Sequence, residues 1–209
     1  ALLGADSHST SLLQTVLRGV LMRLMLASSS PRRRAVLSLL VSDFESLAPD
    51  IDERPRTLES PADYVARLAS EKAKTGAADQ RVSLGSDTTV AMGHEILGKP
   101  RDSQDAAAML RALSGNTHEV HTAVAVAYSG GIKTETCTTS VRFTELSEAA
   151  IQQYLLTDEP WDKAGAYGIQ GYAGAFVSQM KGSYSAVVGL PLCETRALLM
   201  EAGVPVRHG

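Results

Sequence analysis

The chain has 209 residues, of which 44% are hydrophobic and 21% are charged, and its formal net charge is −3 at pH 7. This is the composition of an ordinary globular protein, and the acidic balance argues against broad, non-specific binding to nucleic acid. Two cysteines, Cys137 and Cys193, are too few for a disulfide framework and favour a reducing interior, so we expect a cytoplasmic protein. Because no apolar stretch is long enough to span a bilayer, we expect no membrane association.

The first 22 residues differ from the rest of the chain, because they are rich in Ser and Thr and contain one acidic residue, Asp6. We expect a leader or tag extension with no role in activity, although an organelle transit segment has a similar composition. Residues 23–209 are expected to form a single domain, within which residues 103–155 are a candidate for a smaller lobe.

Strands and helices are mixed along this domain. Strands are predicted at 24–27, 44–47, 82–90, 119–128, 134–143, 175–180 and 185–189. Helices are predicted at 31–40, 60–76, 103–113, 147–155 and from about 191. Ser30 and Ser60 each precede a proline, as at a helix start, and "SGG" between two long strands predicts a hairpin. We therefore expect an α/β fold with a mixed, elongated β-sheet flanked by helices.

The segment "ASSSPRRR" joins the first strand to the first helix. Ser28 and Ser30 lie in this turn, where free backbone N–H groups and the helix dipole favour an anion. The arginines at 32–34 would repel the dipole and each other unless an anion binds, and guanidinium groups suit phosphate. The segment therefore predicts a polyphosphate site. Alternatively, the arginines face solvent or pair with acids such as Glu53.

Lys72 lies in the apolar stripe of the second helix. At about 100° per residue, Val65, Leu68 and Ala69 fall on the same face as Lys72, whereas the charged neighbours face water. A lysine in this position extends to the surface, pairs with an acid or meets an anionic ligand.

Asp87 lies in the middle of "VSLGSDTTVAM", a strand that is otherwise largely buried. A carboxylate inside a sheet is costly unless it is paired or bound to a metal, so Asp87 is a candidate metal ligand or general base. Lys99 follows in "ILGKP", from where it could reach the same place. The alternative is a buried Asp87–Lys99 ion pair with no catalytic role.

Gln170 lies in the glycine-rich segment "DKAGAYGIQGYAG", where backbone can approach a ligand closely. Its amide offers both a donor and an acceptor, which matches the mixed edge of uracil or thymine. The alternative is an ordinary mobile loop. His118 and His121 are interpreted as structural, because residues three apart in a strand face opposite sides. The nucleotide-kinase, serine-hydrolase and dinucleotide motifs are missing from the sequence.

Several segments occur in the order seen in the Maf-type nucleoside triphosphate pyrophosphatases, which this chain resembles over residues 24–203. The segments are "LASSSPRRR", "PDIDE", "RLASEKA", "LGSDTTV", "ILGKP", "LSGNTHEVHTAVAV", "DKAGAYGIQG" and "GSYSAVVGLPL". The resemblance implies hydrolysis between the α and β phosphates of a nucleoside triphosphate, with a divalent metal such as Mg²⁺ or Mn²⁺. It also implies two lobes with a central cleft, as in inosine-triphosphatase-like folds, and commonly a homodimer.

The resemblance carries site residues to matching positions of this sequence. It implies that Asp87, Lys72, Lys99 and Glu53 line a catalytic cleft, with Asp87 as the proton acceptor. We expect Glu53 and Asp87 to be the metal ligands. We expect substrate binding by Ser28, Ser30, Arg32, Arg33, Thr88 and Gln170.

Three of these positions distinguish branches of the family. Arg32, Thr88 and Gln170 resemble the branch that prefers dTTP and UTP, whereas the 7-methyl-GTP branch carries other residues there. The rival interpretation is a non-catalytic, nucleotide-sensing regulator of cell division and septum formation. A third interpretation is a nucleic-acid binder that uses the arginines at 32–34, which the acidic net charge disfavours.

Overall fold

A seven-stranded mixed sheet runs through the centre of the protein. The computed structural model describes residues 23–207, so the predicted leader at 1–22 lies outside the described residues. The strands are β1 (Arg23–Ala27), β2 (Glu45–Leu47), β3 (Arg81–Met92), β4 (Glu95–Leu97), β5 (Thr117–Tyr128), β6 (Gly131–Phe143) and β7 (Val177–Lys181). The helices are α1 (Pro31–Leu37), α2 (Pro61–Gly76), α3 (Ser103–Leu113), α4 (Glu148–Leu155), α5 (Tyr184–Val188) and α6 (Leu192–Glu201).

The strand order is β2-β1-β3-β5-β6-β7, and β4 pairs with β3 off this path. The β1 strand is parallel to both β2 and β3, whereas the other pairs are antiparallel. The β3–β5 ladder is long and runs from Ser83–Ala127 to Ala91–Glu119. The predicted hairpin is confirmed, with Tyr128 opposite Gly131. The expected α/β fold with a mixed sheet is therefore confirmed.

Helices cover both faces of this sheet because successive residues of a strand point to opposite sides. On one face, small residues of α2 pack against Ala123, Ala125 and Ala127 of β5. On the other face, Val124 and Val126 pack in a core cluster with α1 and α6.

A second core cluster lies farther along the same two strands. It includes Val90 of β3 and Val120 of β5, together with buried residues of α3 and α4. The predicted smaller lobe at 103–155 contributes these two helices and also β5 and β6 of the shared sheet. Its separation as a lobe stays a prediction.

Side-chain caps fix the starts of α1 and α2, as the sequence predicted. Ser30 Oγ accepts from the Arg33 N–H over 3.4 Å, and Ser60 Oγ accepts from the Asp63 N–H over 3.1 Å. Each helix then has its proline in the first turn, where a missing N–H costs nothing. The α1 helix ends at Leu37, earlier than the predicted 40.

The strand predicted at 185–189 is wrong, because this segment is the helix α5. Ser183 Oγ accepts from the Ala186 N–H and caps the helix, which ends at Val188 and is followed by Gly189 with φ 128°. This local capping outweighs the β-propensity of the two valines. The strand predicted at 175–180 begins only at Val177, after a 3-10 helix at Tyr172–Phe176.

Within residues 23–207, no helix combines the length and the apolar character needed to cross a membrane.

Candidate active site

A cavity of about 1270 Å³ lies between the start of α1, the middle of β3 and the glycine-rich segment before β7. All ten residues predicted for the site line it. They are Ser28, Ser30, Arg32, Arg33, Glu53, Lys72, Asp87, Thr88, Lys99 and Gln170. The structure therefore brings these cations, acids and amide together on one cavity, whereas their roles as site residues stay predictions.

Arg33 is held inside the cavity by two acceptors. Its Nε donates to the Gly189 carbonyl over 2.9 Å, and its NH2 donates to Thr88 Oγ1 over 3.4 Å. Burial lowers the pKa of the Arg33 guanidinium, whereas the charge of Asp87 raises it. Thr88 also accepts from Thr122 Oγ1 over 3.1 Å, so the side chain that orients Arg33 is itself oriented.

The three consecutive arginines face different surroundings because each helical step turns the chain by about 100°. Arg32 NH1 donates to Asp162 Oδ2 over 2.8 Å across the mouth of the cavity. Arg34 is exposed and is not among the cavity-lining residues. The suggested pairing of these arginines with Glu53 does not form, since the acid that pairs with Arg32 is Asp162.

Lys72 joins two carboxylates at the cavity wall. It is 5% exposed, and its Nζ lies 2.6 Å from Asp87 Oδ1 and 2.7 Å from Glu53 Oε1. Of the three alternatives for Lys72, pairing with an acid is the one observed. The suggested ion pair between Asp87 and Lys99 is wrong, because the cation that pairs with Asp87 is Lys72. Lys99 is an exposed residue of the same cavity.

Gly85 allows this contact between α2 and β3. A Cβ atom at position 85 would lie 2.3 Å from the Ala69 carbonyl oxygen and 2.4 Å from the Ala73 nitrogen. The helix backbone therefore packs directly on the strand, which brings Lys72 within reach of Asp87, two residues further along β3.

Glu53 projects from the loop before α2 and remains half-exposed. Burial raises the pKa of its carboxyl, but the hydrogen bond and charge of Lys72 more than offset this, so the pKa is lowered and the group stays ionised. Tyr64 Oη donates to the Glu53 carbonyl over 2.9 Å and holds the loop. Burial, together with the charges of Asp87 and Glu53, raises the pKa of Tyr64 to about 12, so it remains a donor.

The two acids that contact Lys72 also suit a divalent cation. Mg²⁺ in phosphate-transfer sites is commonly bound by one or two carboxylates plus phosphate oxygens of the substrate. Glu53 and Asp87 provide that number, since their oxygens both lie within 2.7 Å of one ammonium. In the described part of the chain, no group of three or more His, Cys, Asp or Glu residues could hold a metal. A metal here would therefore depend on substrate oxygens as well.

Gln170 lies at the tip of a turn that lines the cavity. The Gly171 N–H donates to the Gly168 carbonyl over 3.1 Å, which closes the turn around Ile169 and Gln170. The Gln170 side chain is exposed at the cavity, with its amide free of protein partners among the described residues.

Five charged cavity residues received no role from the sequence: Arg54, Arg101, Glu159, Asp162 and Lys163. They lie outside the α-helices and strands, where no α-helical or strand period relates one residue to the next. Asp162 and Lys163 begin the segment "DKAGAYGIQG", but no individual role was assigned to them, and Glu159 lies before that segment.

The two histidines lie away from the cavity. His118 Nε2 is 2.8 Å from Tyr167 Oη, and His121 Nδ1 is 2.9 Å from Thr138 Oγ1. Burial lowers the pKa of His118 to about 4, so it is neutral at physiological pH. These contacts agree with the interpretation of both residues as structural.

Comparison with known proteins agrees with the order of the sequence segments. Residues 23–202 match the Maf family, described as "Maf-like protein". A Hahella chejuensis protein named dTTP/UTP pyrophosphatase is 55% identical over 189 residues, covering 88% of this chain and 94% of that protein. A Shewanella oneidensis protein of the same name is 55% identical over 193 residues, covering 88% of this chain and 100% of that protein.

Among solved structures, the Staphylococcus aureus Ham1 protein is similar with a TM-score of 0.49 and 14% identity, over 86% of this chain and 98% of that one. This similarity is too distant to carry an argument about either fold or function. The match over residues 23–202 and the relatives at 55% identity are decisive, and the chain belongs to the Maf family.

Proposed function

We propose that this protein is a nucleoside triphosphate pyrophosphatase that hydrolyses dTTP and UTP to the monophosphate and pyrophosphate. The observation that carries the proposal is that Arg32, Arg33, Lys72 and Lys99 line the same cavity as Asp87. Relatives at 55% identity are named dTTP/UTP pyrophosphatase, which supports the same substrates here.

The triphosphate is bound by Arg32 and Arg33 at the start of α1 and by Lys99. Arg33 is already fixed by Gly189 and Thr88 and presents its remaining N–H groups to a phosphate. Arg32 can exchange Asp162 for a phosphate oxygen, because a partly exposed ion pair is worth little in water. Ser28 and Ser30 place the turn and its N–H groups beside the same anion.

Asp87 accepts the proton of the attacking water. The water oxygen bonds to a phosphorus of the α–β bridge, the bridging P–O bond breaks, and pyrophosphate leaves. Lys72 fixes the Asp87 carboxylate from one side, and its charge stabilises the negative charge that develops on the phosphate oxygens. A Mg²⁺ or Mn²⁺ ion held by Glu53 and Asp87 would add a second positive charge at those oxygens.

Gln170 reads the base. Its amide can donate to a carbonyl and accept from the neighbouring N–H of uracil or thymine, whereas a guanine edge presents two adjacent donors. The exposed position at the tip of the turn leaves both amide groups available.

The remaining expectations complete the proposal. Residues 23–209 form one catalytic domain, and residues 1–22 are an extension with no role in activity. The protein acts in the cytoplasm as a homodimer, as the family resemblance implies, with no nucleic-acid or membrane partner. The net charge of −3 supports the expected absence of a nucleic-acid partner.

Pyrophosphate release from a panel of triphosphates, with and without Mg²⁺, tests the proposal. We expect metal-dependent release from dTTP and UTP and much slower release from ATP and GTP. Tight nucleotide binding without pyrophosphate release would contradict the proposal and favour the non-catalytic regulator.

A further inference from the structure

The carboxylate of Glu159 accepts hydrogen bonds from the backbone segment that follows Gln170. Its Oε2 accepts from the Tyr172 N–H over 2.8 Å, and its Oε1 accepts from the Ala173 N–H over 3.2 Å. Oε1 also accepts from Tyr154 Oη over 3.0 Å. The Glu159 carbonyl in turn accepts from Lys163 Nζ over 2.6 Å, so the glutamate is held at both its backbone and its side chain.

The two backbone donors belong to the start of a short helix. Tyr172 and Ala173 begin the 3-10 helix Tyr172–Phe176, whose N-cap residue is Gly171. Free N–H groups at a helix start are usually satisfied by the side chain of the N-cap residue. Glycine has no side chain, so Glu159 supplies the missing acceptor from another part of the chain.

A side chain at position 171 would meet the Glu159 carboxylate, although the φ angle of Gly171 does not itself require glycine. Its φ is −103° and its ψ is −155°, which any residue can adopt. A Cβ atom at position 171 would lie 2.2 Å from Glu159 Oε2 and 2.3 Å from its Cδ. The carboxylate therefore occupies the volume that any larger residue at position 171 would need.

These contacts fix the residues that follow Gln170 directly. Gly171 closes the turn by donating to Gly168, and the next two N–H groups donate to Glu159. The Gln170 side chain itself is exposed, so its direction depends on how firmly this turn is held.

We propose that Glu159 is a positioning residue for base selection: it holds the turn of Gln170 so that the amide meets the pyrimidine edge. The proposal rests on the proposed function, in which Gln170 reads the base. Glu159 acts through the backbone and does not touch the phosphates. Loss of the Glu159 side chain should therefore lower the preference for UTP over GTP much more than it lowers the rate of pyrophosphate release.

The test measures kcat/KM for UTP and for GTP in the wild type and in Glu159→Ala. We expect the UTP-to-GTP ratio to fall about tenfold, the scale of losing hydrogen bonds to a charged acceptor. This ratio does not depend on the fraction of folded enzyme, so partial misfolding cannot produce the change. Glu148→Ala is the matched control, because Glu148 binds Arg111 and Gln152 outside the cavity. The control should keep the wild-type ratio.

Gly171→Ala provides a second, independent arm. Its methyl group should displace the Glu159 carboxylate and lower the ratio as well. In the double variant with Glu159→Ala the obstacle is gone, so the ratio should be no lower than in Glu159→Ala alone. If the two substitutions lowered the UTP-to-GTP ratio independently, so that their effects multiplied in the double variant, the proposal would be overturned.

A wild-type UTP-to-GTP ratio in Glu159→Ala would also overturn it. If the UTP-to-dUTP ratio changed at the same time, Glu159 would act on the sugar and not on the base. Failure of the proposed function is distinguishable from this outcome, because the wild type would then release no pyrophosphate from UTP.

Discussion

Lys72 and Asp87 meet across a helix–strand contact with 2.6 Å between Nζ and Oδ1. The distance depends on Gly85, where any side chain would push α2 away from β3. Two residues that are costly to bury separately are therefore buried as a pair, with Glu53 completing the group from a loop.

Asp87→Asn should lower the turnover of UTP by on the order of a hundredfold or more, the usual scale for losing a positioned base. The amide keeps the size of the side chain but cannot accept the proton from water. Initial rates of pyrophosphate release at saturating UTP measure the effect. Asp79→Asn, at an exposed position outside the cavity, is the control. Wild-type turnover in Asp87→Asn would refute the role as base.

Lys72→Met should destabilise the fold at neutral pH by about 3 kcal/mol, because it leaves the Asp87 carboxylate buried without a cation. Urea unfolding at pH 7 measures the change. Lys74→Met, on the exposed side of the same helix, should cost far less. Adding Asp87→Asn to Lys72→Met should recover part of the loss. If both lysine variants lost the same stability, the buried pair would not be the cause.

Arg33→Lys should raise KM for UTP about tenfold, because lysine cannot bind Gly189, Thr88 and phosphate with one planar group. Arg34→Lys makes the same chemical change on the neighbouring residue, which is exposed and outside the cavity. Its KM should stay within about twofold of the wild type, the scatter of surface substitutions. Equal effects of the two substitutions would contradict the orientation of α1.

Gln170→Glu should weaken the preference for UTP over GTP. A carboxylate only accepts hydrogen bonds, so it loses the contact with a pyrimidine carbonyl and gains one with the two donors of guanine. The ratio of kcat/KM values for UTP and GTP measures the change, with the exposed Gln179→Glu as control. An unchanged preference would remove Gln170 from base reading.

His118 should make the fold sensitive to mild acid. Burial lowers its pKa from 6.5 to about 4, so the unfolded chain binds the proton more readily than the folded protein. The stabilising contribution is present in full above pH 6.5 and is lost as the pH falls towards 4. Between pH 7 and pH 4.5 the wild type should therefore lose about 2 kcal/mol more unfolding free energy than His118→Gln. The exposed His94→Gln should behave like the wild type in the same urea titrations.

The sequence predicts those parts of the site that lie on regular elements. Lys72 and Asp87 stand out because each breaks an apolar pattern whose period fixes its direction. The starts of α1 and α2 follow from Ser30 and Ser60, since a cap is a local signal that needs no tertiary information.

Ion-pair and hydrogen-bond partners that are brought together by the packing of distant segments cannot be predicted from local sequence patterns. The sequence suggested Lys99 as the partner of Asp87, whereas the close approach at Gly85 gives that place to Lys72. Glu159 acts on an irregular segment later in the chain, so no periodicity connects it to Tyr172.

The β3–β5 ladder passes without interruption from one core cluster to the other. A hinge between the clusters would need a few residues that change their backbone angles freely, and here those residues are locked in paired strands. Bending at the floor of the cavity would break the hydrogen bonds between Ser83–Ala127 and Ala91–Glu119. We therefore expect changes of shape during turnover to be confined to the loops at the rim, with the strand floor keeping the same outline when a nucleotide binds.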